Sequence, residues 1–272
     1  SGYRTALVNV GAMKNRGIEL TLNSVNIDTK DFTWQTSLNY SFNKNEIDKL
    51  YNDLERVGNY FVGQSINVIY TKRFGGIWQS DEAEIAKIYN AEPGDYKIID
   101  RNRNNIIDDD DRDFVGQTTP QFFGSFSNTF KSHGFDLTIF LTYAGGHKIY
   151  NPFAYLDSYS PSANMSPDYY HNYWTPERPS NKYPRLGSTN SQLYETDGMY
   201  QKGDYIRLKN LELGYTLPRN IANKVYASNI RVYASVQNLV TFTKYTGFDV
   251  ETSNANPYPA CRVFMGGLTV NF

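Results

Sequence analysis

Residues 100–111 read Asp-Arg-Asn-Arg-Asn-Asn-Ile-Ile-Asp-Asp-Asp-Asp, a run whose oxygens have the spacing of a loop that wraps a hard cation. Against the calcium-loop pattern D-x-[DN]-x-[DN]-G-x5-E, side-chain oxygens fall at position 1 (Asp100), 3 (Asn102), 5 (Asn104), 9 (Asp108) and 12 (Asp111). Position 7 offers the backbone carbonyl of Ile106, and Ile107 takes the place of the apolar anchor. Calcium gathers about six to eight hard oxygens, and this spacing turns them toward one point. The run departs from the pattern twice. Asn105 replaces the turn glycine, although Asn tolerates a left-handed backbone better than most residues, and Asp111 replaces the closing Glu with a shorter arm. The chemistry on offer is a structural calcium that braces the loop, the alternative being an acidic surface loop without metal.

A second set is aromatic. Tyr150, Phe153, Tyr155, Tyr159, Tyr169, Tyr170, Tyr173 and Trp174 crowd the segment 146–202. Rings with polar tips can stack on sugars or grip apolar peptide side chains. Tyr169, Tyr170, Tyr173 and Trp174 form the candidate ligand-binding set, while most of these rings are expected to pack the segment against itself or a partner. No enzyme motif accompanies them: GxSxG, HExxH, a P-loop and GxGxxG are all missing from the sequence. His133, His147 and His171 have no catalytic partners at a recognisable spacing. Catalysis is therefore not expected. The net charge of -1 gives no electrostatic footprint for nucleic acid. A single cysteine, Cys261, excludes a disulfide within the chain.

The elements that must position these residues show period-2 alternation. Phe32, Trp34, Thr36, Leu38, Tyr40 and Phe42 share one parity, and Thr33, Gln35, Ser37, Asn39 and Ser41 the other. Such a strand has one aromatic face and one neutral polar face. Seven further segments carry the pattern: 18–22, 68–74, 122–130, 135–143, 206–217, 230–240 and 264–272. Segment 68–74 is the weakest, interrupted by Lys72, and a switch of parity near Lys209-Asn210 indicates a bulge. Many runs exceed the roughly 9–11 residues that a tilted strand needs to cross a bilayer. A low mean hydropathy of -0.57 does not argue against this, because a membrane strand shows lipid only every second residue.

Connections are long at 79–120, 146–202 and 243–260 and short at 132–134 and 218–229. Long external loops alternating with short periplasmic turns characterise outer-membrane barrels. With eight strands, two connections fit poorly. The turn 28–31 becomes a short external loop and 43–66 a long periplasmic one, with one or two helical turns over Asn45–Leu50. The expected fold is all-β: an antiparallel transmembrane barrel portion of about eight strands with long extracellular loops.

Several blocks resemble the SusC/RagA family of TonB-dependent outer-membrane transporters. They are Asn9-Val10-Gly11, Asn15-Arg16-Gly17-Ile18-Glu19-Leu20, Asp31-Phe32-Thr33-Trp34 and Asn39-Tyr40-Ser41-Phe42-Asn43-Lys44-Asn45. Val62-Gly63-Gln64-Ser65-Ile66, Gly76-Ile77-Trp78, Pro93-Gly94-Asp95-Tyr96-Lys97, Gly203-Asp204-Tyr205-Ile206-Arg207-Leu208 and Gln237-Asn238-Leu239 continue the series in order. The resemblance implies the last third or so of a barrel in the 22-stranded plugged class. It also implies a SusD-like surface lipoprotein as partner, import of oligosaccharides or oligopeptides, and TonB contacts made by N-terminal parts outside these residues. The family's acidic loop usually has Gly where Asn105 stands. Phe272, with apolar residues at alternate positions before it, resembles the C-terminal signal for barrel assembly. The chain's end is therefore expected to be the natural C-terminus, and the plug and further strands to lie upstream.

From a different class, a soluble or cell-surface β-sandwich that binds carbohydrate would use the same alternation. The two differ over Phe32, Trp34, Leu38, Tyr40 and Phe42, which face lipid in a barrel and a second sheet in a sandwich.

Overall fold

A computed structural model describes residues 11–151, 167–188, 195–252 and 258–272. Seven strands form one antiparallel sheet in which neighbours along the chain are neighbours in space. They are β1 (Gly11–Asp28), β2 (Phe32–Leu50), β3 (Phe122–Ser132), β4 (Phe135–Gly145), β5 (Tyr205–Thr216), β6 (Asn229–Thr243) and β7 (Val263–Asn271). Local chemistry sets the turns. His133 and Gly134 take φ of 50° and 85°, and two left-handed residues give a hairpin the twist of its strands. Thr29 closes the β1–β2 turn through its N–H to the Phe32 carbonyl at 2.9 Å. The parity switch in β5 is a bulge at Lys209, where the pairing with both β4 and β6 slips.

Register turns the alternation into two continuous faces. Leu22, Leu38, Phe126, Leu141, Leu208 and Val240 lie side by side across six strands. A parallel row runs Trp34, Phe130, Leu137, Leu213 and Ala234. Nothing among the described residues covers this face, and Leu20, Leu213 and Phe242 stay 52%, 51% and 64% exposed. The remaining sheets are two-stranded, so the second layer that a sandwich needs is not among the described residues.

The opposite face is cross-linked by hydrogen bonds: Thr21 to Asn39 at 3.0 Å, Asn39 to Ser125 at 3.2 Å and Ser37 to Asn23 at 2.7 Å. Near the short turns, Arg231 bonds Asp136 at 3.0 Å and Glu212 at 2.7 Å. Back on the apolar face, Gly124 is bare because Tyr143 lies across it. A Cβ there would sit 2.5 Å from the Tyr143 hydroxyl, which donates to the Asn39 carbonyl at 2.9 Å.

Three expectations are corrected. Segment 68–74 is not a wall strand, so the sheet has seven strands rather than eight. Val68–Lys72 pairs with Arg112–Gln117, and Phe74–Ile77 with Tyr96–Ile98, in separate ribbons. The reason is burial: Ile69 and Lys72 are each 5% exposed, and Tyr70 packs on Phe61 and Phe114, so this stretch faces protein on both sides. Asn45–Leu50 is not helical but the continuation of β2, followed by a 3-10 turn at Tyr51–Asp53. Removing one strand also reverses the two awkward connections. Residues 29–31 join the short-turn end, and 51–121 becomes a long loop at the other end, so every long connection leaves the same rim. No helix among the described residues is long and apolar enough to cross a membrane. The sheet stays open, with β1 and β7 at opposite edges rather than paired to each other.

Candidate functional site

Above that rim the long loops build a cap with its own core. Ile77, Tyr96, Trp174 and Met199 form a buried cluster, so 51–121 and 146–204 fold together. Polar contacts fix their register. The Trp174 Nε1–H donates to Gln79 Oε1 at 3.0 Å, and Arg185 reaches Asp95 at 2.9 Å and Glu92 at 3.2 Å. Gly94, with φ of 93°, lets the indole approach, since a Cβ there would lie 2.5 Å from the Trp174 ring. Buried Lys72 pairs with Glu195 at 3.2 Å, and the Phe74 N–H donates to Asp197 at 2.8 Å.

The acidic loop hangs from this cap. Asn105 has φ of 65°, the left-handed turn that position 6 requires. Asp100 accepts from the Arg103 and Asn105 N–H groups at 2.6 and 2.7 Å and from the Tyr89 hydroxyl at 3.0 Å. Burial pushes the Asp100 carboxyl up, but the Asn105 N–H, the Tyr89 hydroxyl and the Arg103 and Asn104 N–H groups outweigh it and hold it below the usual carboxylate range. Asn102 and Asn104 each accept the N–H two residues on, at 3.0 and 2.8 Å. Asp100 Oδ2 already takes two donors, the Asn105 N–H and the Tyr89 hydroxyl, so the lone pairs these bonds leave for a cation lie on Asp100 Oδ1, Asn102 and Asn104.

Asp111 behaves differently. It is 1% exposed and accepts the N–H groups of Arg101 at 2.7 Å and Asp108 at 3.0 Å. Its carboxylate ties the two ends of the loop together. Among the described residues no three His, Cys, Asp or Glu side chains are gathered as a metal site. The donors that fit a calcium loop are Asp100, Asn102, Asn104, the Ile106 carbonyl and Asp108, largely neutral oxygens.

The aromatic candidates separate. Trp174 and Tyr169 are buried at 6% and 1% exposure, which takes both rings out of a ligand-facing surface. Tyr173 lies half-buried beside Tyr169, with the Arg178 guanidinium 4.7 Å from its ring centre. Tyr170 alone of the four is well exposed. Phe153, Tyr155 and Tyr159 lie outside the described residues. Phe272 follows β7 directly, fully exposed at the sheet edge.

Sequence reasoning missed one constellation. Arg207, on the polar face of β5, is 4% exposed and bonds Thr241 at 2.8 Å, Asp249 at 2.6 Å and Glu251. Asp249 also accepts the N–H groups of Glu251 at 2.9 Å and Ala260 at 2.8 Å, gathering both limbs of loop 244–262. Burial raises the Asp249 carboxyl, yet those N–H groups and Arg207 bring it below its ordinary value. The signal available was a lone arginine at a polar-parity position with carboxylates 42 and 44 residues later.

An open antiparallel wall with an uncovered apolar face and a loop cap at one rim is the architecture of a membrane β-barrel portion. The relatives agree. The chain is 31% identical over 303 aligned positions to TonB-dependent receptor P3 of Formosa agariphila, covering 100% of this chain and 30% of that protein. It is 29% identical to TonB-dependent receptor SusC of Bacteroides thetaiotaomicron, covering 97% of this chain and 27% of SusC. The solved structure of the RagAB peptide transporter superposes with a TM-score of 0.79 at 26% identity, covering 97% of this chain and 30% of that one. No family model matches. The chain's homologues are thus TonB-dependent receptors, SusC among them, and it corresponds to a barrel portion of a SusC/RagA-like protein. It spans about a third or less of the length of those relatives.

Proposed function

We propose that this chain is the C-terminal wall and external cap of an outer-membrane, TonB-dependent importer of oligosaccharides or oligopeptides. Plug, TonB-contacting segment and remaining strands belong to the same longer protein, and a SusD-like lipoprotein sits over the cap. The carrying observation is the uncovered apolar face running across strands whose long connections all leave one rim. Open edges support the reading too, because unpaired backbone groups in lipid cost several kcal/mol each and call for further strands beside β1 and β7. Cys261, exposed just before β7, reports the sidedness. In intact cells carrying the full receptor, a membrane-impermeant maleimide should label Cys261, with Cys261→Ser as the blank. A His133→Cys change in that blank should stay unlabelled until the outer membrane is opened. Labelling in the reverse order would sink the membrane orientation.

Within this reading a calcium ion braces loop 100–111 through Asp100, Asn102, Asn104, the Ile106 carbonyl and Asp108, while Asp111 anchors the loop ends. Tryptic cleavage after Arg101 and Arg103 should slow when calcium is added to chelated receptor. Cleavage indifferent to calcium would remove the ion from the account.

A further inference from the structure

Where β4, β5 and β6 reach the loop rim, the apolar face opens into a groove of about 560 Å³. Phe122, Tyr143, Ile206 and Phe242 line it, and register places Tyr143 beside Ile206 and Ile206 beside Phe242. Gly145 shapes its floor: a Cβ there would lie 2.4 Å from the Phe122 ring, which crosses it. Ile206 and Phe242 are 50% and 64% exposed, so the groove is open outward. Lys202 and Lys244 stand on its rim, both exposed and neither ion-paired among the described residues. The nearby carboxylate, Asp204, accepts the Gly146 N–H at 2.8 Å. The groove is therefore apolar below and cationic above, at the depth where the sheet passes into its external loops.

We infer that this groove binds a phosphate-bearing lipid of the outer leaflet. Its acyl chain lies along Phe122, Tyr143, Ile206 and Phe242, and its phosphate rests between Lys202 and Lys244. The inference builds on the membrane orientation proposed above. Charge complementarity selects the occupant. A neutral lipid leaves two lysines without a partner, and a free anion makes no use of the apolar floor. Basic residues at a membrane surface attract anionic headgroups with about a fivefold gain each, and a bound acyl chain removes exposed apolar surface from water.

The test uses the full receptor in detergent, read by native mass spectrometry with a bis-phosphorylated lipid A or its dephosphorylated counterpart. The phosphorylated form should be retained preferentially. Lys202→Ala and Lys244→Ala should each lower that preference about fivefold, and about 25-fold together. Phe242→Ala should weaken both lipids alike. Equal retention of the two lipids, or a preference unchanged in the double variant, overturns the inference. Displacement by millimolar inorganic phosphate alone also overturns it, since the site would then hold only an ion. If Cys261 labels from outside and the preference is missing, this inference alone fails. If Cys261 is not reached from outside, the orientation and the inference fall together.

Discussion

The wall and the cap use the same residues in opposite ways. In the wall, Leu38, Leu141 and Leu208 point away from the protein with no layer above them among the described residues, and serines, threonines and asparagines bond across the inner face. In the cap, Trp174, Ile77 and Met199 are buried together and ionic groups hold the surface. Local sequence does not separate the two, since Val68 and Tyr70 share a parity in the cap as Leu137 and Ile139 do in the wall. What differs is the solvent each face meets. An alternating stretch therefore states that a strand exists, while its neighbours and connection lengths decide whether its apolar side meets lipid or a protein core.

That contrast can be broken in three places. The largest effect should come from the strap where cap and wall meet. Removing one partner of a buried ion pair costs about 3–5 kcal/mol, so Arg207→Ala should free loop 244–262, raising the rate of maleimide attack at Cys261 and the loop's protease sensitivity. Unchanged rates would mean the strap is held by something other than Arg207.

Next comes the lipid face. Leu141→Arg places a charge on an outward row, where such changes cost about 2–4 kcal/mol at mid-membrane. Ser127→Arg, on the inner face, should cost far less. Denaturant unfolding of the full receptor in lipid measures both, and equal costs would erase the distinction between the faces.

The smallest effect is the pH response of the strap. The folded Asp249 carboxyl titrates below its unfolded value, so its contribution is complete above the ordinary carboxylate range. It is lost as pH falls through the lowered folded value. Cys261 reactivity, corrected for thiolate fraction, should therefore rise only on acidification below that range, and Asp249→Asn should flatten the response.

Much of the wall was legible because period 2 is local: six of the seven strands follow directly from residues such as Phe135, Leu137 and Ile139, and β1 from Ile18, Leu20 and Leu22. The bulge at Lys209 was legible as a change of parity. Val68, Tyr70 and Phe74 misled because alternation does not name the partner strand, and 112–117 lies too far along the chain to be inferred as that partner. The backbone of the acidic loop was readable from Asn105, whereas the capping role of Asp111 depends on which N–H groups surround it. Burial of Trp174 depends on Gly94 and Gln79, some 80 and 95 residues away. Pairings over such distances have no local signature.

Beyond Phe42, β1 and β2 continue together as a ribbon, since β3 pairs with β2 only along residues 32–42. The eight residues 43–50 extend it by about 27 Å at the usual rise of a strand. At its upper part Ile47 is clasped by the Gln64 carbonyl and the Gly63 N–H, each at 2.8 Å, and Asn45 takes the Ile66 N–H at 3.0 Å. The ribbon thus carries the register of the wall up into the cap, and where β1 and β2 enter the sheet fixes where residues 61–66 stand above it.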